Sequence, residues 1–245
     1  MNLLDEILAT TEEGQVVDVC VGMNWTAVVV EVDGKRRCGL AATLSGFHEH
    51  SGQPQIPLAG VLVGRSTSEL VADLQAPNSP QMSLAMAALN ALVPPPEVWS
   101  EQNALDLIAA RGRDRHVALI GHFPFVDALR PQVGRLSVID QHPLEGDFPP
   151  EAAPEILPQA DFIAMTGMVL MNGTFENLMQ CRNLKADVML LGPSTPLSPR
   201  LFDFGVDILA GSWVENIDAV LRAVGQGANF RQVHRAGVRL ITVMR

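Results

Sequence analysis

Hydrophobic and polar positions change rhythm near the middle of the chain. Leu3, Leu4, Ile7 and Leu8 recur at helical spacing, so residues 2–12 read as an amphipathic helix that Gly14 ends. Three runs rich in β-branched or small apolar residues follow, at 16–21, 26–32 and 37–43. Asp33-Gly34 between the second and third is a hairpin signal, so the pattern predicts an antiparallel meander. Residues 44–58 read as a long loop. Ser66-x-x-Glu69 reads as a capping box for a short helix through Leu74. Ser79-Pro80 then opens a helix that is apolar nearly all round, which predicts burial. Pro94-Pro95-Pro96 cannot continue it, and the boundary between two domains, 1–96 and 97–245, is expected there.

Beyond the prolines, a helix at 100–111 leads into short apolar runs at 116–121, 136–140, 161–166, 187–192, 207–211 and 238–243, with helical stretches between most of them. That alternation predicts a Rossmann-like parallel sheet covered on both faces. Right-handed crossovers put the strand C-termini on one edge, where such sheets hold ligands.

The loops expected at that edge carry the candidate chemistry. They hold Gly121-His122-Phe123-Pro124, then Asp140 running into His142 and Glu145-Gly146-Asp147. Thr166-Gly167 with Asn172-Gly173-Thr174 follow, then Gly192-Pro193-Ser194-Thr195-Pro196, and last Gly211-Ser212. Glycines admit a ligand close to the backbone, and small hydroxyl and amide groups at helix starts donate hydrogen bonds. Each loop also has a structural reading: Ser212-x-x-Glu215 is a capping-box pattern, and Ser or Thr before Pro is an ordinary helix start. His122, at the sheet mouth, is either a metal ligand or proton carrier, or a structural histidine. His48-Glu49-His50 is either a pair of further donors or a solvated loop.

Composition prunes the alternatives. The chain has 245 residues, is 47% hydrophobic and 18% charged, and carries a formal charge of −10, with Lys35 and Lys185 its only lysines. Such a surface repels nucleic acid and anionic lipid. No apolar run approaches the ~18 residues of a membrane span, and the acidic N-terminus does not read as a signal peptide, so a cytoplasmic location is expected. The apolar content admits a homodimer. Tyrosine is absent, which removes mechanisms that need a phenol. Val29 and Arg36 stand where a P-loop needs Gly and Ser or Thr, and the first strand is not followed by G-x-G-x-x-G. Cys20, Cys38 and Cys181 have no zinc-site spacing and read as reduced thiols, although Cys20 and Cys38 fall on strands expected to be neighbours.

The ordered series Gly121-His122-Phe123-Pro124, Gly146-Asp147, Thr166-Gly167, Asn172-Gly173-Thr174 and Gly192-Pro193-Ser194-Thr195-Pro196 resembles the "putative heavy-metal chelation" family. Gly39-Leu40-Ala41 and Ala87-Ala88-Leu89-Asn90-Ala91 resemble that family's partner domain. The resemblance implies an enolase N-terminal-like α+β domain followed by a Rossmann-like domain, with a site in the cleft between them. The sequence departs from the family's pattern at Asp140, where Glu is common, and at Met168-Val169, where small hydroxyl residues are common. On this reading the ligand is a transition metal ion or a metal chelate, tetrapyrrole-like or a metallophore. His122, the expected metal ligand, would act with Asp140 and Asp147 in the chemistry. Asn90, Gly121, Thr166, Gly167, Asn172, Gly173, Thr174, Gly192, Pro193, Ser194, Thr195 and Gly211 would line the ligand. Two other readings stand beside it: a non-catalytic sensor or accessory module for a nucleotide-like or organic anion, and a Rossmann-type transferase or lyase on a small metabolite.

Overall fold

The computed structural model describes residues 3–44 and 54–245. His48, Glu49 and His50 lie outside them. The first half is a short helix, α1 (Leu3–Leu8), then an antiparallel sheet of β1 (Gln15–Val21), β2 (Trp25–Val32) and β3 (Lys35–Ala42) in the order β1-β2-β3. Asp33 and Gly34 both have positive φ, 50° and 68°, as a two-residue hairpin between right-twisted strands demands. Alternate residues point to opposite faces. Val28, Val30 and Ala41 therefore meet the helix α3 (Pro80–Leu92), which follows the short α2 (Thr67–Val71), while Ala27 and Leu40 face the other way. Ser79 caps α3, its hydroxyl accepting from Met82 N at 3.1 Å. Gly39 makes the α3 contact intimate, because a Cβ there would fall 2.1 Å from Ala87 O and 2.4 Å from Ala91 N.

The second half holds β4 (His116–Ile120), β5 (Arg135–Ile139), β6 (Phe162–Thr166), β7 (Asp187–Leu191), β8 (Ile208–Val214) and β9 (Val238–Met244). Their order is β5-β4-β6-β7-β8-β9, parallel except for β9, which runs antiparallel to β8. The order of the parallel strands reverses at β4, so the switch point, where doubly wound sheets open a crevice, lies between the C-terminal ends of β4 and β6. Together the two sheets give the expected mixed α/β layout.

The halves are not packed as separate bodies. The free face of the β1–β3 sheet is covered by the helices Ile217–Gly225 and Phe230–Gly237, through Val220, Val224 and Val233. The largest apolar cluster likewise runs from Leu3 and Val30 through α3 to Met165 and Val243. No helix among the described residues is long and apolar enough to cross a membrane.

Four local expectations are corrected. The last strand is antiparallel rather than parallel. Gly211 and Ser212 lie inside β8, paired with Ile241 and Leu240; the cap of the next helix is Asn216, whose side chain accepts from Ala219 N. Ser66 occupies a cap position without a capping bond: its hydroxyl bonds to Ser68, while Glu69 pairs with Arg65. Cys20 and Cys38 are not on neighbouring strands, because β2 separates them by two strand spacings, roughly 10 Å. Burial pushes the Cys38 thiol up to about 12 and, together with Asp18, raises that of Cys20, so neither readily offers the thiolate that a metal needs.

Candidate functional site

At the mouth of the second sheet the chain leaves β4 through Gly121, whose φ of 106° suits glycine alone and whose missing side chain leaves room for Thr166, 3.2 Å from the Cβ position. The turn presents His122. Its backbone N–H donates to Asp140 Oδ2 at 2.8 Å, and its Nδ1 lies 2.7 Å from Asp147 Oδ2. The loop after β5 brings Asp147 back. Phe148 N donates to Val138 O and Asp140 N to Phe148 O, so the returning segment lies along β5. Gly146, with φ 88°, makes the reversal between Leu144 and Asp147.

The His122 side chain is 29% exposed, whereas that of Asp147 is completely buried. Asp147 Oδ2 also accepts from Leu144 N at 3.1 Å, while Oδ1 is buried without a partner. A carboxylate facing Nδ1 favours the tautomer with its proton there, which leaves the Nε2 lone pair free. Asp140 uses both oxygens on backbone amides: Oδ2 on His122, and Oδ1 on His142 N at 2.8 Å. Both acids thus stand behind the histidine and hold it. Sequence reasoning placed Asp140, Asp147 and His122 at this edge, but it gave His142 no role. Its signal was Asp140-x-His142, the spacing at which an aspartate side chain caps the amide two residues on.

Beside this mouth, β6 and β7 end in a tightly closed joint. A Cβ on Gly167 would fall 2.6 Å from Thr195 Oγ1 and 2.7 Å from Thr195 N. The turn Gly192-Pro193-Ser194-Thr195 closes by a bond from Thr195 N to Gly192 O. Ser194 Oγ accepts from Ala42 N of the first half at 2.9 Å, and Asn90 Nδ2 donates to Leu40 O at 2.8 Å and to Pro193 O at 3.3 Å. Asn90, a polar residue in a largely apolar helix, therefore ties the halves together. Asn90 Oδ1 and Thr195 Oγ1 remain buried without partners. Ser194 is itself buried, so Ser194→Ala removes an acceptor that water cannot easily replace. Thermal and urea unfolding should register a loss of about 1–2 kcal/mol.

The remaining candidates lie elsewhere. Asn172 Oδ1 accepts from both N and Oγ1 of Thr174, and Asn172 O accepts from Asn78 Nδ2 at 3.5 Å. Gly173 faces Pro77. This loop docks on the first half, where it borders a largely apolar cavity of about 230 Å³ with Leu3, Met82 and Phe175. Asn78 bonds it to the first half, through Nδ2 to Asn172 O and through its backbone N–H to Met171 O. Gly211 is buried inside β8 against Leu197. The expected single lining thus divides into a mouth (Gly121, His122, Asp140, Asp147, Thr166), a joint (Asn90, Gly167, Gly192, Pro193, Ser194, Thr195) and the separate Asn172–Thr174 contact. Among the described residues, no group of three or more His, Cys, Asp or Glu side chains is arranged to hold a metal ion.

Two family models match the chain, one over residues 103–243 and one over 4–93, and both are described as "putative heavy-metal chelation". An uncharacterized protein of Methanocaldococcus jannaschii is 23% identical over 234 residues, covering 90% of this chain and 86% of its own. Two solved structures of proteins of unknown function, from the family that matches residues 103–243, share the fold. The one from Desulfitobacterium hafniense has a TM-score of 0.84 at 23% identity, over 99% of this chain and 98% of its own. The one from Pyrococcus horikoshii has a TM-score of 0.81 at 20% identity, over the same shares.

Proposed function

Because the chain belongs to the family described as "putative heavy-metal chelation", we propose that it binds a divalent transition metal presented inside an organic chelator, with His122 Nε2 as the protein's donor. One observation carries the reading: an accessible imidazole at the switch point is backed at 2.7 Å by a carboxylate that is itself fully buried. Metal-binding histidines characteristically give their other ring N–H to such a carboxylate, which fixes the tautomer and raises the basicity of the donor.

The donor set supports a chelate over a bare ion. A divalent ion held by protein alone needs three or four donors, and no such group occurs among the described residues. A chelator supplies most of the coordination shell and asks the protein for the remainder. Imidazole suits Zn, Cu, Fe and Ni, so a histidine donor fits a complex of one of these ions. In this arrangement Asp147 orients the ring, Asp140 anchors the His122 backbone, and Gly121 and Thr166 form the floor beneath.

Untagged protein carrying His48→Ala and His50→Ala, which removes the two histidines outside the described residues, should bind Ni(II)–nitrilotriacetate with one-to-one stoichiometry in calorimetry. A flat titration with the Ni(II), Zn(II) and Cu(II) complexes of that chelator would overturn the proposal.

A further inference from the structure

The structure assigns a second metal donor to this mouth: we infer that His142 joins His122 as a pair of imidazoles filling two adjacent open positions on a chelated divalent metal. The inference rests on the reading of His122 given above and names the class of ligand it accepts, a metal complex with two adjacent exchangeable sites.

The argument begins at Asp140. Its two carboxylate oxygens accept, at 2.8 Å each, from the backbone amides of His122 and His142. One side chain therefore fixes the main chain at both histidines, although twenty residues and the whole of β5 separate them in sequence. Each oxygen of a short, rigid group is engaged, so neither histidine can drift without breaking a charge-assisted bond. Pro143 follows His142 and restricts its backbone to extended conformations. The His142 residue is exposed, and its ring has no hydrogen-bond partner among the described residues. A structural histidine would be expected to use its ring nitrogens, as His116 does with Gln159 O and Ser137 Oγ. The buried, unpartnered Asp147 Oδ1 behind His122 adds an independent sign that the mouth is built around charge: a lone carboxylate oxygen is costly to bury unless positive charge approaches nearby.

The pairing also explains how a mouth with few donors achieves affinity. Once His122 has bound the metal, His142 binds intramolecularly at a high effective concentration. Both carboxylates stay in supporting roles, since three of their four oxygens are already engaged.

The test uses the full, untagged chain in the His48→Ala, His50→Ala background. Ni(II)–nitrilotriacetate leaves two adjacent positions open, and a pentadentate amine complex of Ni(II) leaves one. His142→Ala keeps the backbone amide that Asp140 holds and changes an exposed side chain, so the fold should persist. It is expected to weaken binding of the nitrilotriacetate complex on the order of tenfold, the remaining gain being offset by immobilising an exposed ring. The same variant should leave binding of the pentadentate complex unchanged. Nitrogen hyperfine structure in the Cu(II)–nitrilotriacetate adduct should fall from two imidazoles to one. If His142→Ala leaves both complexes and the nitrogen count unchanged while His122→Ala removes binding, the pair is refuted and the single-donor reading survives. If neither complex binds the background chain with His122 and His142 intact, the single-donor reading fails and the pair fails with it.

Discussion

Gly39→Ala should lower stability by about 3 kcal/mol or more, an unusually large effect for one methyl group. The added Cβ would lie 2.1 Å from Ala87 O, 2.4 Å from Ala91 N and 2.8 Å from Asn90 C, all backbone atoms of α3. A flexible side chain could turn aside, but a helix backbone cannot. Relief requires β3 and α3 to separate, and Val28, Val30 and Ala41 pack in the same apolar cluster as Met86 and Leu89. Separation would also lengthen the bond from Asn90 Nδ2 to Leu40 O, and with it the tie to Pro193. For a chain of this size each kcal/mol shifts the thermal midpoint by roughly 2–4 °C, so a drop of roughly 6–12 °C is expected in calorimetry. A midpoint within 2 °C of the parent would show that the two elements are not held as close as described. Gly34→Ala is the contrast: nothing lies within 4 Å of its Cβ position, and only its φ of 68° opposes the change.

This contact also shows how far local pattern reaches. The meander, the Asp33-Gly34 hairpin, the Ser79 cap and the six apolar strands of the second half were legible because each is signalled within a few residues of where it forms. What escaped was long-range. Gly211-Ser212 followed by Glu215 looks like a strand end and a helix cap, yet β8 continues to Val214 because β9 supplies an antiparallel partner for it from some thirty residues downstream. The triple proline reads as a break between two bodies. No local signal reveals that the helices Ile217–Gly225 and Phe230–Gly237 return to cover the first sheet through Val220, Val224 and Val233.

The site was legible to the same degree and for the same reason. The rule that parallel strands carry ligands at their C-terminal ends brought His122, Asp140 and Asp147 to one edge. The rule does not say which loops fold back. Asp147 reaches His122 because Phe148 pairs along β5, and Asn172 departs because its amide closes a turn on Thr174 and its carbonyl meets Asn78. The Ser194 and Asn90 side chains read as ligand groups, but they bond across the join between the halves. Small polar residues serve either purpose, and only the partner across space distinguishes them.

The metal-chelate reading makes its sharpest demand on His122 and Asp147. In the His48→Ala, His50→Ala background, His122→Ala removes the donor that Asp147 backs and should weaken binding of Ni(II)–nitrilotriacetate by well over the tenfold expected of His142→Ala, since the exposed His142 ring lacks a carboxylate behind it. Asp147→Asn separates charge from shape. Oδ2 accepts from His122 Nδ1 and Leu144 N, while Oδ1 is buried and unpartnered. An asparagine can keep its oxygen at the first position and place its NH2 at the second, so both bonds survive and only the negative charge is lost. A neutral orphan atom is cheaper to bury than a charged one, so stability should hold or rise slightly. Metal affinity should nevertheless fall about 10–100-fold, or about 1.4–2.8 kcal/mol, because the buried negative charge that orients the ring and offsets the bound cation is gone. Calorimetric titration of both variants, alongside their unfolding curves, separates the two contributions. An Asp147→Asn protein that binds as tightly as the parent would reduce the buried carboxylate to a scaffold for the loop. A His122→Ala protein that binds as tightly as the parent would move the donor elsewhere.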